Sequence, residues 1–184
     1  YPTIAILFTL PYLAWSYRRY GSVFSLRILI VYSFILYMLC VYCLVILPLP
    51  RGDAANKLHG HPMQLIPLDF VRDMIRQADF SWRNPASWLA LFTRGAFLSA
   101  LLNLLMTVPF GIYMRDYFEC DLRKTIMLSF VLSLLFELTQ LSGLYFIYPG
   151  SYRLFDVDDL LLNTLGGLVG YALAGPIARM LPSR

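Results

Sequence analysis

Residues 28–49 run without one charged side chain. About 20 apolar residues span the hydrocarbon core of a bilayer as an α-helix. In that medium every backbone N–H and C=O must be paired inside the segment, so such a run is constrained to be helical. Four further apolar segments share its character: residues 3–15, 96–114, 125–148 and 160–181. The first is short. The third of the five carries Asn103 and Pro109, the fourth Glu137 and Gln140, and the fifth Asn163, several glycines and Pro176. The expected fold is all-α, a polytopic membrane bundle of about five transmembrane helices, forming one domain over residues 1–184. Composition agrees: 59% of residues are hydrophobic and 14% charged, against roughly 25% charged in an average soluble domain.

The polar residues then decide orientation and partners. Fifteen Lys and Arg against eleven Asp and Glu leave +4, too small and scattered an excess for a nucleic-acid surface. Arg18, Arg19 and Arg27 crowd the first loop, Arg115, Arg123 and Lys124 the third, and Arg179 and Arg184 stand at and beyond the end of the fifth segment. Short basic loops mark the cytoplasmic side. This puts the N-terminus and the long 50–95 connection outside and the C-terminus inside. No signal peptide with a cleavage site is recognised. Cys40 and Cys43 have the Cys-x-x-Cys spacing but lie in an apolar helix with no base nearby, so they read as packing residues. Cys120 lies in a charged loop.

Within the outer connection, Leu68, Val71, Ile75 and Ala78 recur at helical spacing with Phe70 and Met74 beside them, while Asp69, Arg72, Asp73, Arg76 and Gln77 fill the other face. The spacing predicts an extracytoplasmic amphipathic helix of about three turns, placed in the membrane interface or capping the bundle. Trp82 and Trp88 suit an interfacial aromatic belt. His59 and His61 read as solvated loop.

A carboxylate inside a membrane segment costs about 2.5–3.5 kcal/mol on insertion scales, so Glu137 needs partners or a function. Gln140, three residues on, shares its face. The next segment opens Arg153-x-x-Asp156-x-x-Asp159-x-x-x-Asn163. Asp156, Asp158 and Asp159 suit a helix start, where acids meet free N–H groups. Asn163 lies one turn deeper on the face of Asp159. Gly166, Gly170 and Ala174 continue at intervals of four, a small-residue face that admits another helix closely. With Asn103, these polar groups are expected to converge at the outer-leaflet end of the bundle. Arg153 can pair with Asp156, hold an anionic ligand group, or stand beside carboxylates that gather a divalent cation.

With these residues in hand, the chain resembles the VanZ-like family. The resemblance rests on Asn103, on Pro109 and Gly111, on Glu137-x-x-Gln140, and above all on Arg153-x-x-Asp156-x-x-Asp159-x-x-x-Asn163-x-x-Gly166-x-x-x-Gly170. It extends over residues 64–173. Leu65, Ile66 and Pro67 look like that family's outer Asn-Leu-x-Pro-Phe segment, with Gln64 in place of the Asn and Leu68 in place of the Phe. The resemblance implies a bacterial plasma-membrane protein of the cell envelope. It also implies a link to low-level resistance to the glycopeptide teicoplanin.

Three functions follow. In the first, an outer-leaflet site binds or modifies a lipid or lipid-linked envelope precursor. Glu137, Asp156 and Asp159 are then acid/base groups or cation ligands, Asn103, Gln140 and Asn163 orient the substrate, and Arg153 holds an anionic group. In the second, the protein is a non-enzymatic scaffold that binds the antibiotic, through Trp82 or Trp88, or a wall-synthesis partner. In the third, Glu137, Gln140, Asp159 and Asn163 form a buried network that only fixes helix packing. A channel or transporter is disfavoured by the lack of an inverted repeat.

Overall fold

The computed structural model describes residues 2–20, 26–47, 49–50 and 63–180. His59 and His61 lie outside the described residues. The described residues are helical apart from turns and one isolated parallel bridge between Gln64 and Asp156. The chain divides into two units, Tyr1–Leu49 and Pro50–Arg184.

The first unit is a pair of packed helices, α1 (Pro2–Tyr20) and α2 (Leu26–Ile46). The first helix outruns its apolar stretch and continues through Arg18 and Arg19. Arginine is a good helix former, and cations in a last turn complement the helix dipole. Cys40 and Cys43 are free thiols on α2.

The second unit contains α3 (Asp69–Gln77), α4 (Pro85–Thr93), α5 (Gly95–Asp116), α6 (Leu122–Leu141) and α7 (Val157–Met180). Among the described residues, three helices are long and apolar enough to cross a membrane: Arg27–Ile46, Gly95–Asp116 and Leu122–Leu141. Asp121 caps α6, its carboxylate accepting from the Lys124 N–H at 2.8 Å. The helix ends at Leu141, before the apolar run does. Gly143, Leu144, Tyr145 and Phe146 all adopt left-handed backbone angles, a conformation that only glycine takes without steric cost.

Exposure in this unit is the inverse of a soluble protein's. Thr107, Thr125, Ser129, Ser133, Glu137, Gln140 and Asn163 are buried, while Leu102, Leu105, Met127 and Leu135 are exposed. Such a surface is stable against lipid and would aggregate in water. The interior polar groups are small enough to let helices approach closely. The closest approach joins α7 to α5. A methyl group on Gly166 would sit 2.1 Å from the Leu104 carbonyl oxygen, and one on Gly170 would sit 1.9 Å from that of Val108. From the α5 side, a methyl on Gly111 would meet the Gly167 carbonyl oxygen at 2.0 Å. Gly167 turns its own open side to α6, where Ser129 Oγ would lie 2.0 Å from an added carbon. The helix α7 is thus wedged between α5 and α6 by its glycines.

Gly170→Ala is expected to cost about 1–3 kcal/mol, because its obstacle is backbone. Gly175→Ala should cost less, since it meets only the end of the Arg115 side chain at 3.0 Å. Thermal unfolding of the two purified variants in detergent measures the difference.

Candidate functional site

The polar residues assemble where the end of α6, the start of α7 and the segment before α3 meet. Carboxylates and peptide amides alternate through it. Glu137 Oε2, on α6, accepts the Asp156 N–H at 3.0 Å. Asp156 Oδ1 accepts the Asp158 N–H at 2.8 Å and so caps α7. Asp158, itself buried, accepts the Leu68 N–H at 2.5 Å on one oxygen and the Phe70 N–H at 2.8 Å on the other. A carboxylate on the open amides of a helix N-terminus is favoured by both hydrogen bonding and the dipole. The three acids therefore couple α6 to α7 and α7 to α3.

Backbone pairing reinforces the last link. The Gln64 N–H donates to Phe155 O at 2.8 Å, and the Val157 N–H donates to Gln64 O at 3.1 Å. The Gln64 amide brackets Ile66, accepting its N–H and donating to its carbonyl, each at 2.6 Å. Gln64 thus shapes the Leu65–Pro67 corner from both sides.

Deeper in the bundle, Asn103 of α5 donates to Asp159 Oδ1. Asn163 donates to Ser133 Oγ at 2.9 Å, and Thr107 donates to the Asn163 carbonyl at 2.7 Å. The Ser151 hydroxyl lies 3.3 Å from the Gln140 carbonyl and 2.5 Å from that of Arg153. The expected residues from α5, α6 and α7 are therefore brought together at one end of the helices.

Beside this network opens a cavity of about 360 Å³. Asp69, Asp73, Asp156, Asp158 and Asp159 line it, and Gly95, Ala96, Ser99 and Ala100 on α5 contribute small side chains to its wall. Of the seven site residues expected from sequence, only Asp156 and Asp159 line the cavity. Glu137, Asn103 and Asn163 stand behind it as supports, and Arg153 and Gln140 are not in its wall. Sequence reasoning missed Asp69, Asp73 and Gln77, whose i, i+4, i+8 stripe was a visible signal. It also missed the tethering role of Asp158, whose partners lie 90 and 88 residues away.

Burial pushes the Asp156 carboxyl above its ordinary range, and the charges of Asp158, Asp69 and Asp73 add to the rise. The hydrogen bond from the Asp158 N–H opposes it. Among the described residues no group of three or more His, Cys, Asp or Glu side chains is arranged to hold a metal ion. Several of these oxygens accept hydrogen bonds within the protein: Asp158 from the start of α3, Glu137 from Asp156, and Asp159 from Asn103. The divalent-cation reading therefore gains no support. What the cavity offers is a row of oxygen acceptors for hydroxyl or ammonium donors, with Asp156 and Asp159 at its surface.

Two outcomes test this construction. Asp158→Ala strands two amides of α3, at about 1–3 kcal/mol. Hydrogen exchange should rise across residues 66–72 while α5 and α6 stay protected. Asp156 holds its proton more tightly folded than unfolded, so its contribution to stability is greatest below the unfolded value of about 4 and falls as pH rises through the raised folded value. Asp156→Asn should therefore raise the melting temperature near neutral pH, and the gain should vanish near pH 4 in the same thermal assay.

Among known proteins, the family model described as VanZ/LLP1 matches residues 34–179. No curated protein and no solved structure matches the chain.

Proposed function

The chain belongs to the VanZ/LLP1 family, and from that premise we propose that its cavity receives the polar head of a membrane lipid or lipid-linked envelope precursor. The observation that carries the reading is the 360 Å³ cavity edged by Asp156 and Asp159, two members of the chain's Arg-Asp-Asp-Asn motif. It lies beside helices that expose apolar side chains. In this reading α1 and α7 are further spans, the N-terminus and the cavity lie on the outer side of the bacterial plasma membrane, and the C-terminus is cytoplasmic. Occupancy of the cavity alters the surface that teicoplanin meets, which connects the site to glycopeptide resistance.

The roles follow from the contacts. Asp156 and Asp159 touch the head and are the groups placed to exchange a proton with it. Glu137 positions Asp156 through its backbone amide, and Asn103 orients Asp159. Arg153 is outside the wall but precedes the wall residue Leu154, and it is the cation assigned to an anionic group of the head at the cavity edge. The burial of Glu137, Gln140 and Asn163 favours scaffolding as their share of the work.

The test joins a cellular and a chemical measurement. Asp159→Ala, and Ser99→Phe to fill the cavity, should each lower teicoplanin tolerance of an expressing strain several-fold. Both should also reduce the lipid that co-purifies, measured by mass spectrometry. Unchanged tolerance and unchanged lipid in variants that melt like the parent protein would sink the reading.

A further inference from the structure

The helix α3 leaves branched apolar residues on its outer face and brings acids to the cavity. Asp69, Asp73 and Gln77 line the cavity, the two acids half-buried and Gln77 exposed, and Gln77 Oε1 accepts the Ala96 N–H at 3.0 Å. Val71 and Ile75, on the outward half, are 41% and 47% exposed, and Leu65 and Ile66 just before the helix are 59% and 60% exposed. In water a helix buries its branched apolar residues and turns its carboxylates out. Here Phe70 and Met74 are half-buried and Ala78 is buried, yet Val71 and Ile75 remain outside, an apolar addition to the outer face that suits the boundary of an apolar medium.

The same outward half carries two cations. The Arg72 and Arg76 side chains are each 74% exposed. Each is held one turn from an acid of the cavity wall, at 3.4 Å from Asp69 and 2.8 Å from Asp73. A guanidinium has five N–H donors in a fork, so one carboxylate contact leaves donors for a second anion. Cations interleaved with exposed apolar side chains suit the boundary between lipid phosphates and acyl chains. Depth is set by α5. The Gln77 contact ties the end of α3 to the first turn of a helix apolar enough to cross the membrane. Phe80, Trp82 and Trp88 follow α3 as an edge-on aromatic cluster with ring centres 5.1–5.2 Å apart, and such rings favour the head-group level.

We propose that α3 and the segment before it form a lipid-docking surface. In it Leu65, Ile66, Val71 and Ile75 face acyl chains, and Arg72 and Arg76 rest on the phosphates of anionic phospholipids. The surface stands whether or not the cavity binds a lipid head, so its test is separate from the one above.

Single cysteines replace Val71, Ile75 or, as a loop control, Glu119, in a chain whose native cysteines are changed to serine. Each carries a nitroxide label, and the full chain is reconstituted into nanodiscs of phosphatidylcholine, with or without phosphatidylglycerol. Collision with oxygen relative to a nickel chelate should be several-fold higher at 71 and 75 than at 119. It should rise further when phosphatidylglycerol is present, and that rise should vanish in Arg72→Ala/Arg76→Ala. If positions 71 and 75 match 119 in both lipids, the surface faces water or protein and the proposal is overturned. If they are oxygen-favoured but indifferent to phosphatidylglycerol and to both arginines, the anionic-lipid assignment is overturned. Both labelled positions are exposed, and melting temperatures matching the unlabelled chain establish that the variants fold.

Discussion

Everything at the polar end hangs on the backbone contact between α5 and α7. Gly166 and Gly170 leave no room for a side chain against the Leu104 and Val108 carbonyls, and Gly111 leaves none against Gly167. Dispersion and small-residue packing drive such association, because lipid supplies no hydrophobic force between helices. Once the helices touch there, Asn103 faces Asp159 and Thr107 reaches the Asn163 carbonyl. The polar contacts are therefore consequences of a fit set one and two turns deeper, and they fix its register in return.

The site has two layers with different duties. Asn163, Ser133 and Thr107 bond one another inside the bundle, where Asn163 Oδ1 is left buried without a partner. Asp69, Asp73, Asp156 and Asp159 line an open space. Residues of one sequence motif are divided between these layers. Asn163 belongs to the inner one and Asp156 to the outer, with Asp159 bridging them through Asn103.

Much of this was legible in the chain. The long uncharged stretch became α2, the Asp156 cap and the Gly166–Gly170 face lie where their spacing puts them, and the polar residues of three helices do meet. The end of α6 was not legible, because the residues that turn left-handed after Gly143 are as apolar as those before them. Periodicity gave α3 two faces but could not say which solvent each would meet. It grouped Asp69 and Asp73 with Arg72 and Arg76, which the fold separates into cavity wall and outer surface. The Asp158 tether escaped because its partners are backbone amides far away in sequence, and an amide carries no residue-specific signature.

The run of carboxylates from Glu137 through Asp156 to Asp158 finds its positive counterparts in peptide groups. Each acid accepts N–H bonds from the next link, and the last faces the open end of α3. Partial charges fixed in the main chain thus share with the Arg153 guanidinium the work of balancing these acids. They bring no long side chains into a space shaped by glycine, alanine and serine, and they cannot be lost by deprotonation. The whole positive charges of α3 are correspondingly free to stand on the outside of the molecule. The molecule thereby holds negative charge buried and positive charge exposed at this one end.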